Sequence, residues 1–91
     1  GHKGTIETAY TIMDGEYEVI EAEIIETSEL INKELKNSNL PDEIRIGAVL
    51  RDSKVIIPRS NFIFQKEDKV VFLAKKDSIS VVENIFRISS I

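Results

Sequence analysis

"IGAVLRDSKVIIP", residues 46–58, sets two apolar runs on either side of Arg51-Asp52-Ser53-Lys54. Traced back to Ile44, the first run alternates: Ile44, Ile46, Ala48 and Leu50 take one face, and Arg45, Gly47, Val49 and Arg51 the other. Successive side chains point to opposite faces only in a strand. Asp52-Ser53 serves as a two-residue hairpin turn, and Lys54 to Pro58 returns as the partner strand until Pro58, which has no amide hydrogen to donate. A hairpin at this point makes a sheet the centre of the fold.

Upstream, "YEVIEAEIIE" (17–26) reads as a strand with Ile20, Ala22 and Ile24 on one face and Val19 and Ile25 on the other. Thr27 or Ser28 then offers a capping hydroxyl for a helix through about Asn37, with Leu30, Ile31 and Leu35 inward. The turn-rich "NSNLPD" ends it, because Pro41 disfavours helical geometry at Leu40. Before Tyr17, the spacing of Ile6, Ala9, Tyr10 and Met13 predicts a short helix stopped by Asp14-Gly15. Gly1-His2 read as a tag remnant.

Downstream, a short strand is expected around Phe62–Phe64, then the turn "QKED". "KVVFLAK" (69–75) is apolar on both faces, as an interior strand would be, and Asp77 caps a last helix lined by Ile79, Val82, Ile85 and Phe86. The expected fold is α+β: a mainly antiparallel sheet with two helices, preceded by a short N-terminal helix. Residues 1–15 are assigned to the tag and the end helix of an upstream unit, and 16–91 to one domain; the chain is expected to be a piece of a longer one.

The chain's 91 residues, 42% of them hydrophobic, suit one small globular domain, a size at which a partner subunit often completes the core. A net charge of −4 speaks against nucleic acid, whose phosphates demand clustered Lys and Arg. Without cysteine there is no disulfide or thiolate chemistry. No apolar run reaches the roughly 20 residues of a membrane span. The one histidine, His2, lies in the tag remnant, so histidine acid–base catalysis and multi-histidine metal sites have no support. No glycine-rich phosphate loop occurs. The carboxylates of Glu18, Glu21, Glu23 and Glu26 suit a solvated surface, and no serine has a base to activate it. The chain is therefore expected not to be an enzyme, with no catalytic and no metal-binding residue.

Arg45 and Arg51 fall by alternation on one face with Gly47, and these three are the candidate ligand-binding residues. Two readings stand beside each other. The guanidiniums hold an anionic ligand or a partner carboxylate, or Arg51 is a solvent-facing strand-end charge paired with the acidic first strand.

Residues 40–86, "LPDEIRIGAVLRDSKVIIPRSNFIFQKEDKVVFLAKKDSISVVENIF", are more specific. Leu40-Pro41, "IGAVLR", the Val-Ile-Ile-Pro return, Asn61, Asp68 before "VVFL", and "VVENIF" resemble in order and spacing the C-terminal subdomain of the regulator-of-potassium-conductance family, of the TrkA C-terminal type. "KGTIETAY" resembles the last helix of that family's nucleotide-binding subdomain. Two turns depart from the pattern: Glu67-Asp68 stands for Gly-Asp, and Ile31-Asn32-Lys33 for Val-Gly-Lys. Asn tolerates the left-handed backbone best after glycine.

The resemblance implies a cytoplasmic, non-enzymatic regulatory module that forms a homodimer and couples ligand state to a membrane potassium transporter, at whose inner face it sits peripherally. It implies NAD or ATP on the absent upstream subdomain and no cofactor here. The rival implication is a sensor domain of another cation transporter or channel, binding a nucleotide second messenger such as cyclic di-AMP or another anion.

Overall fold

The computed structural model describes residues 4–86 and 88–89, with side chains over 10–86. The Gly1-His2 assignment lies outside the described residues. The strands are β1 (Gly4–Ile12), β2 (Tyr17–Glu23), β3 (Ile44–Arg51), β4 (Lys54–Ile56), β5 (Lys69–Lys75) and β6 (Ile88–Ser89), with a single α-helix, α1 (Ile79–Phe86), among the described residues. They form a six-stranded sheet in the order β4-β3-β5-β2-β1-β6. Every neighbouring pair is antiparallel except β1 and β6.

The α+β class and the strands β2, β3, β4 and β5 stand where the residue pattern puts them. β2 carries Ile20, Ala22 and Ile24 inward, all fully buried. β5 adds Val70, Phe72 and Ala74 on the same face, opposite Ala22, Ile20 and Glu18 across the ladder. α1 closes this face with Val82 and Phe86, the Phe86 ring stacking on Phe72 at 4.8 Å between centroids. Leu30 and Phe64 fill the remaining corner from the connecting loops.

Three expectations are corrected. Among the described residues, 4–15 hold no end helix: Gly4–Ile12 is a strand paired with β2, from Thr8 opposite Glu21 to Ile12 opposite Tyr17. Asp14-Gly15 is the tip of that hairpin, where Met13, Asp14 and Gly15 all take positive φ (54°, 56° and 89°). A pattern rich in Thr and Ile suits a strand as well as a short helix, and the paired edge of β2 decides it.

The helix expected over 28–37 is also absent. Asn32 sits at φ 63°, and the amides of Asn32, Leu35 and Lys36 donate to the carbonyls of Phe64, Phe62 and Ser60. Those bonds replace the internal ladder a helix would have needed, and only a single 3-10 turn, Leu35–Asn37, survives. Ser28, expected to cap that helix, accepts the Leu30 amide and donates to the Ile85 carbonyl, tying this loop to α1. Lastly, Phe62–Phe64 is not a strand. Its only bridge is Ile63 to Glu34.

Two turns carry backbone strain of different kinds. Asp52 and Ser53 both have positive φ (53° and 62°), the tight hairpin turn whose twist matches its strands. In the turn Gln65–Asp68, closed by the Asp68 amide on the Gln65 carbonyl, the third residue Glu67 has φ 75°. That position is made for glycine. Glu67→Gly is expected to raise stability by about 0.5–1 kcal/mol, the relieved left-handed strain outweighing the chain freedom glycine adds when unfolded. A urea melt checks this; a lower midpoint would show that the turn is not strained.

Candidate functional site

β3 does not keep one alternation along its length. Against β5 it pairs Ile44 with Ala74 and Ile46 with Phe72, then Ala48 with Val71 and Val49 with Val70, so Gly47 is an extra, bulged residue. A one-residue slip exchanges the two faces of a strand. Before the bulge Ile44 and Ile46 face the core; after it, Val49 does, fully buried, and Arg51 follows it inward. The expected shared face of Arg45, Gly47, Val49 and Arg51 is thus split at Gly47. Arg45, opposite Leu73, stays on the outer face.

Arg51 meets Asp68, the residue immediately before β5. Its Nε donates to Oδ1 at 2.7 Å and Nη2 to Oδ2 at 2.6 Å, a two-pronged pairing that matches the guanidinium fork to the carboxylate. Nη2 also donates to the Ile63 carbonyl at 2.9 Å, and the guanidinium carbon lies 4.7 Å from the Phe62 ring centroid. Asp68 is 1% exposed and accepts the Gln65 amide as well (2.8 Å), so its charge is met by three donors. The bond to Asp68, and the field of its charge, hold the Arg51 pKa above its ordinary value against the opposing effect of burial. The stabilisation this adds is present below the ordinary arginine pKa and lost only above the raised one, so Arg51 stays cationic at every working pH. Arg51 therefore holds a carboxylate of its own chain, at the junction of β3, β5 and the 60–68 loop.

Arg45 is placed differently. It is exposed and lies beside a surface cleft of about 360 Å³, whose wall also includes Lys36, Ser38, Asn39, Leu40 and Pro41. The cleft opens along the edge of β3 that β4 leaves unpaired, since β4 reaches only Val49 to Arg51. Gly47 has room for a methyl group, which would touch the Val71 carbonyl at an ordinary 3.6 Å. Its part is to displace the register. No group of metal-binding side chains occurs among the described residues, and no helix there is long and apolar enough to cross a membrane.

Asp68 was legible only as a recurring mark before a strand; its role as Arg51's partner was not. A glycine inside a strand pattern is the signal for a bulge, and with that slip Arg51 counts inward.

Comparison with known proteins adds four findings. The model of the TrkA-C domain family matches residues 19–87. The Trk system potassium uptake protein TrkA of Azorhizobium caulinodans is 39% identical over 87 residues, covering 96% of this chain and 19% of that protein. A TrkA homolog from Archaeoglobus fulgidus is 36% identical over 64 residues, 70% of this chain and 15% of its own length. The chain thus spans about a fifth or less of these relatives. Among solved structures, that of the GsuK RCK domain aligns with a TM-score of 0.75 at 13% identity, over 92% of this chain and 18% of that one, and supports the fold.

Arg51→Met is expected to cost about 3 kcal/mol, because it leaves the Asp68 carboxylate buried without its counter-charge. Arg51→Met combined with Asp68→Asn is expected to recover part of that loss, so a double-mutant cycle returns a coupling above about 1 kcal/mol. Additive losses in urea melts would mean that the pair is not coupled.

Proposed function

The chain belongs to the TrkA-C domain family, and on that footing we propose that it is a non-enzymatic regulatory and dimerisation domain of a potassium-uptake system. The observation that carries this is the family match over residues 19–87, joined by 39% identity to a TrkA protein along nearly the whole chain. The mechanism is mechanical. Two copies form a symmetric pair, ligand bound elsewhere in the longer protein favours one arrangement of the pair, and the membrane transporter subunit reads that arrangement. The protein works in the cytoplasm, peripheral to the membrane through that subunit. Nicotinamide nucleotide or ATP belongs to an upstream subdomain, and this domain takes no cofactor.

Support for a non-catalytic role comes from the residues as well. His2 is the single histidine. Arg51 and Asp68, the best-organised charged pair, neutralise each other inside the fold. A potassium-uptake assay tests the proposal: cells lacking TrkA are complemented with a TrkA protein whose last domain is replaced by this chain. Restored uptake, with none when the domain is deleted outright, is the expected outcome. Failure of a stably expressed chimera to restore uptake would sink it.

The cleft beside Arg45 favours a second reading, a sensor for a nucleotide second messenger such as cyclic di-AMP or another anion. Of the three residues singled out in the sequence, Arg45 would carry the contact, Gly47 would set the strand's course beside it, and Arg51 would hold the 60–68 loop. Titration calorimetry with cyclic di-AMP, ATP and nicotinamide nucleotides separates the readings. Under this second reading, cyclic di-AMP gives a binding heat that Arg45→Ala lowers; silence from every ligand leaves assembly alone.

A further inference from the structure

β3 is paired along most of its length on one side only. β5 meets it from Ile44 to Leu50, whereas β4 covers its other edge only from Val49 to Arg51 and ends two residues before Pro58, which has no amide hydrogen to continue the ladder. Backbone groups of successive residues in a strand point to alternate sides, and two bonds fix which point where. The Lys75 amide donates to the Glu43 carbonyl, so Glu43 and, two residues on, Arg45 bond toward β5. The Ile44 amide turns the other way, to the Pro41 carbonyl. Ile46 shares that direction. The N–H and C=O of Ile46 and the C=O of Ile44 therefore face the open edge, where they bond to no backbone group among the described residues.

The same edge borders the cleft of about 360 Å³. Ile44 and Ile46 line it from the inward face of β3, together with Leu35 and Leu40. Its charges are two cations, Lys36 and Arg45, against the one carboxylate of Asp42, on a chain whose net charge is −4. The Lys36 ammonium has only a 3.9 Å contact with Glu34, and the Arg45 side chain makes no hydrogen bond or ion pair among the described residues. We propose that this edge and cleft take up an extended acidic segment of a partner protein, which adds to the sheet as a strand antiparallel to β3 and sets a carboxylate beside Arg45. The inference goes beyond both readings above and rests on neither.

The geometry of β3 writes the segment's pattern. Running in the direction β4 has already set, its first residue exchanges two bonds with Ile46, and its third donates to the Ile44 carbonyl. The side chains of these two point inward, where Leu35, Leu40, Ile44 and Ile46 ask for apolar partners. The residue between them stands on the outer face directly across from Arg45, in the close pairing where opposite charges attract and like charges repel. The segment therefore reads apolar, acidic, apolar. Main-chain bonds supply the affinity of such strand addition and the alternate side chains its selectivity. A second copy's β3 suits the edge less well. Pairing Ile44 with Ile46 sets Arg45 on Arg45, and pairing Ile46 with Ile46 brings the other copy's Ile44 opposite Ala48, beside the place β4 already holds at Val49.

Titration of the isotope-labelled chain, followed by NMR and amide hydrogen exchange, tests this. The probes are the capped peptide Thr-Ser-Val-Glu-Val-Ser-Thr, the same peptide with Lys in place of Glu, and the Glu peptide with its first valine N-methylated. The Glu peptide is expected to move the amide signals of Leu40, Ile44, Arg45 and Ile46 and to slow exchange at the Ile46 amide, which is fast in the free chain. The Lys peptide binds about tenfold more weakly, and the methylated one, robbed of its bond to Ile46, does not bind. Arg45→Glu, a change at an exposed position, reverses the order, so that the Lys peptide binds better than the Glu peptide. Equal binding of the Glu and Lys peptides, undiminished binding of the methylated one, signals that move elsewhere, or no binding at all overturns the proposal. So does an Ile46 amide already protected in the free chain: protection that grows with chain concentration gives the edge to a second copy, and constant protection gives it to the chain itself. Should Arg45→Glu unfold, its spectrum shows it, and the three peptides on the unmodified chain decide alone.

Discussion

The bulge at Gly47 determines where the charged residues of β3 go. Without it, Arg51 would share the outer face with Arg45, and Asp68 would face the core with no counter-charge. With it, Ile44 and Ile46 serve the core first and Val49 serves it next, so no apolar position is lost. The strand changes faces in the middle at the cost of a single unpaired residue. Arg51 then reaches a carboxylate on the far side of β5's first residue, and the 60–68 loop closes over both through the Ile63 carbonyl and the Gln65 amide.

That pairing organises more than two side chains. Asp68 fixes the turn that delivers the chain into β5, while the Asp68 carbonyl accepts the Ile24 amide and the Glu67 amide donates to the Ile24 carbonyl, both at 2.7 Å. The end of β2, the start of β5 and the end of β3 are therefore held at one point. Loop residues 32–36 hang on the 60–64 carbonyls from the same corner. A buried, doubly bonded ion pair is weak evidence for net stability against an apolar replacement. Its value here is positional, because the long connections 24–43 and 57–68 contain no α-helix of their own.

What the sequence made legible follows from the range of the forces involved. β2 was legible because burial on one face writes a period of two into neighbouring residues, β5 because a short run apolar on both faces suits an interior strand, and α1 because Val82 and Phe86 lie four apart. The 28–37 segment was not, since its amides find partners some thirty residues on, at 60, 62 and 64, and no local pattern records that. β1 was misread because Ile6, Ala9, Tyr10 and Met13 satisfy a helical spacing over a stretch too short to separate the two periods. The hairpin turn at Asp52-Ser53 was visible from length alone. Arg51 was visible as a candidate, but its direction depended on a slip of one residue, and alternation propagates such an error to every position beyond it.

The two faces of the sheet also differ in how their side chains are satisfied. On the inner face the polar groups are satisfied within the chain: Ser28 by Leu30 and Ile85, Asp68 by Arg51 and Gln65, with no buried side-chain polar atom left over among the described residues. On the outer face Val19, Val71 and Leu73 are only half-buried, and Arg45 is exposed. The same bulge separates the two kinds of arginine: one is spent on holding the fold, and the other, six residues earlier and on the opposite face, stays exposed.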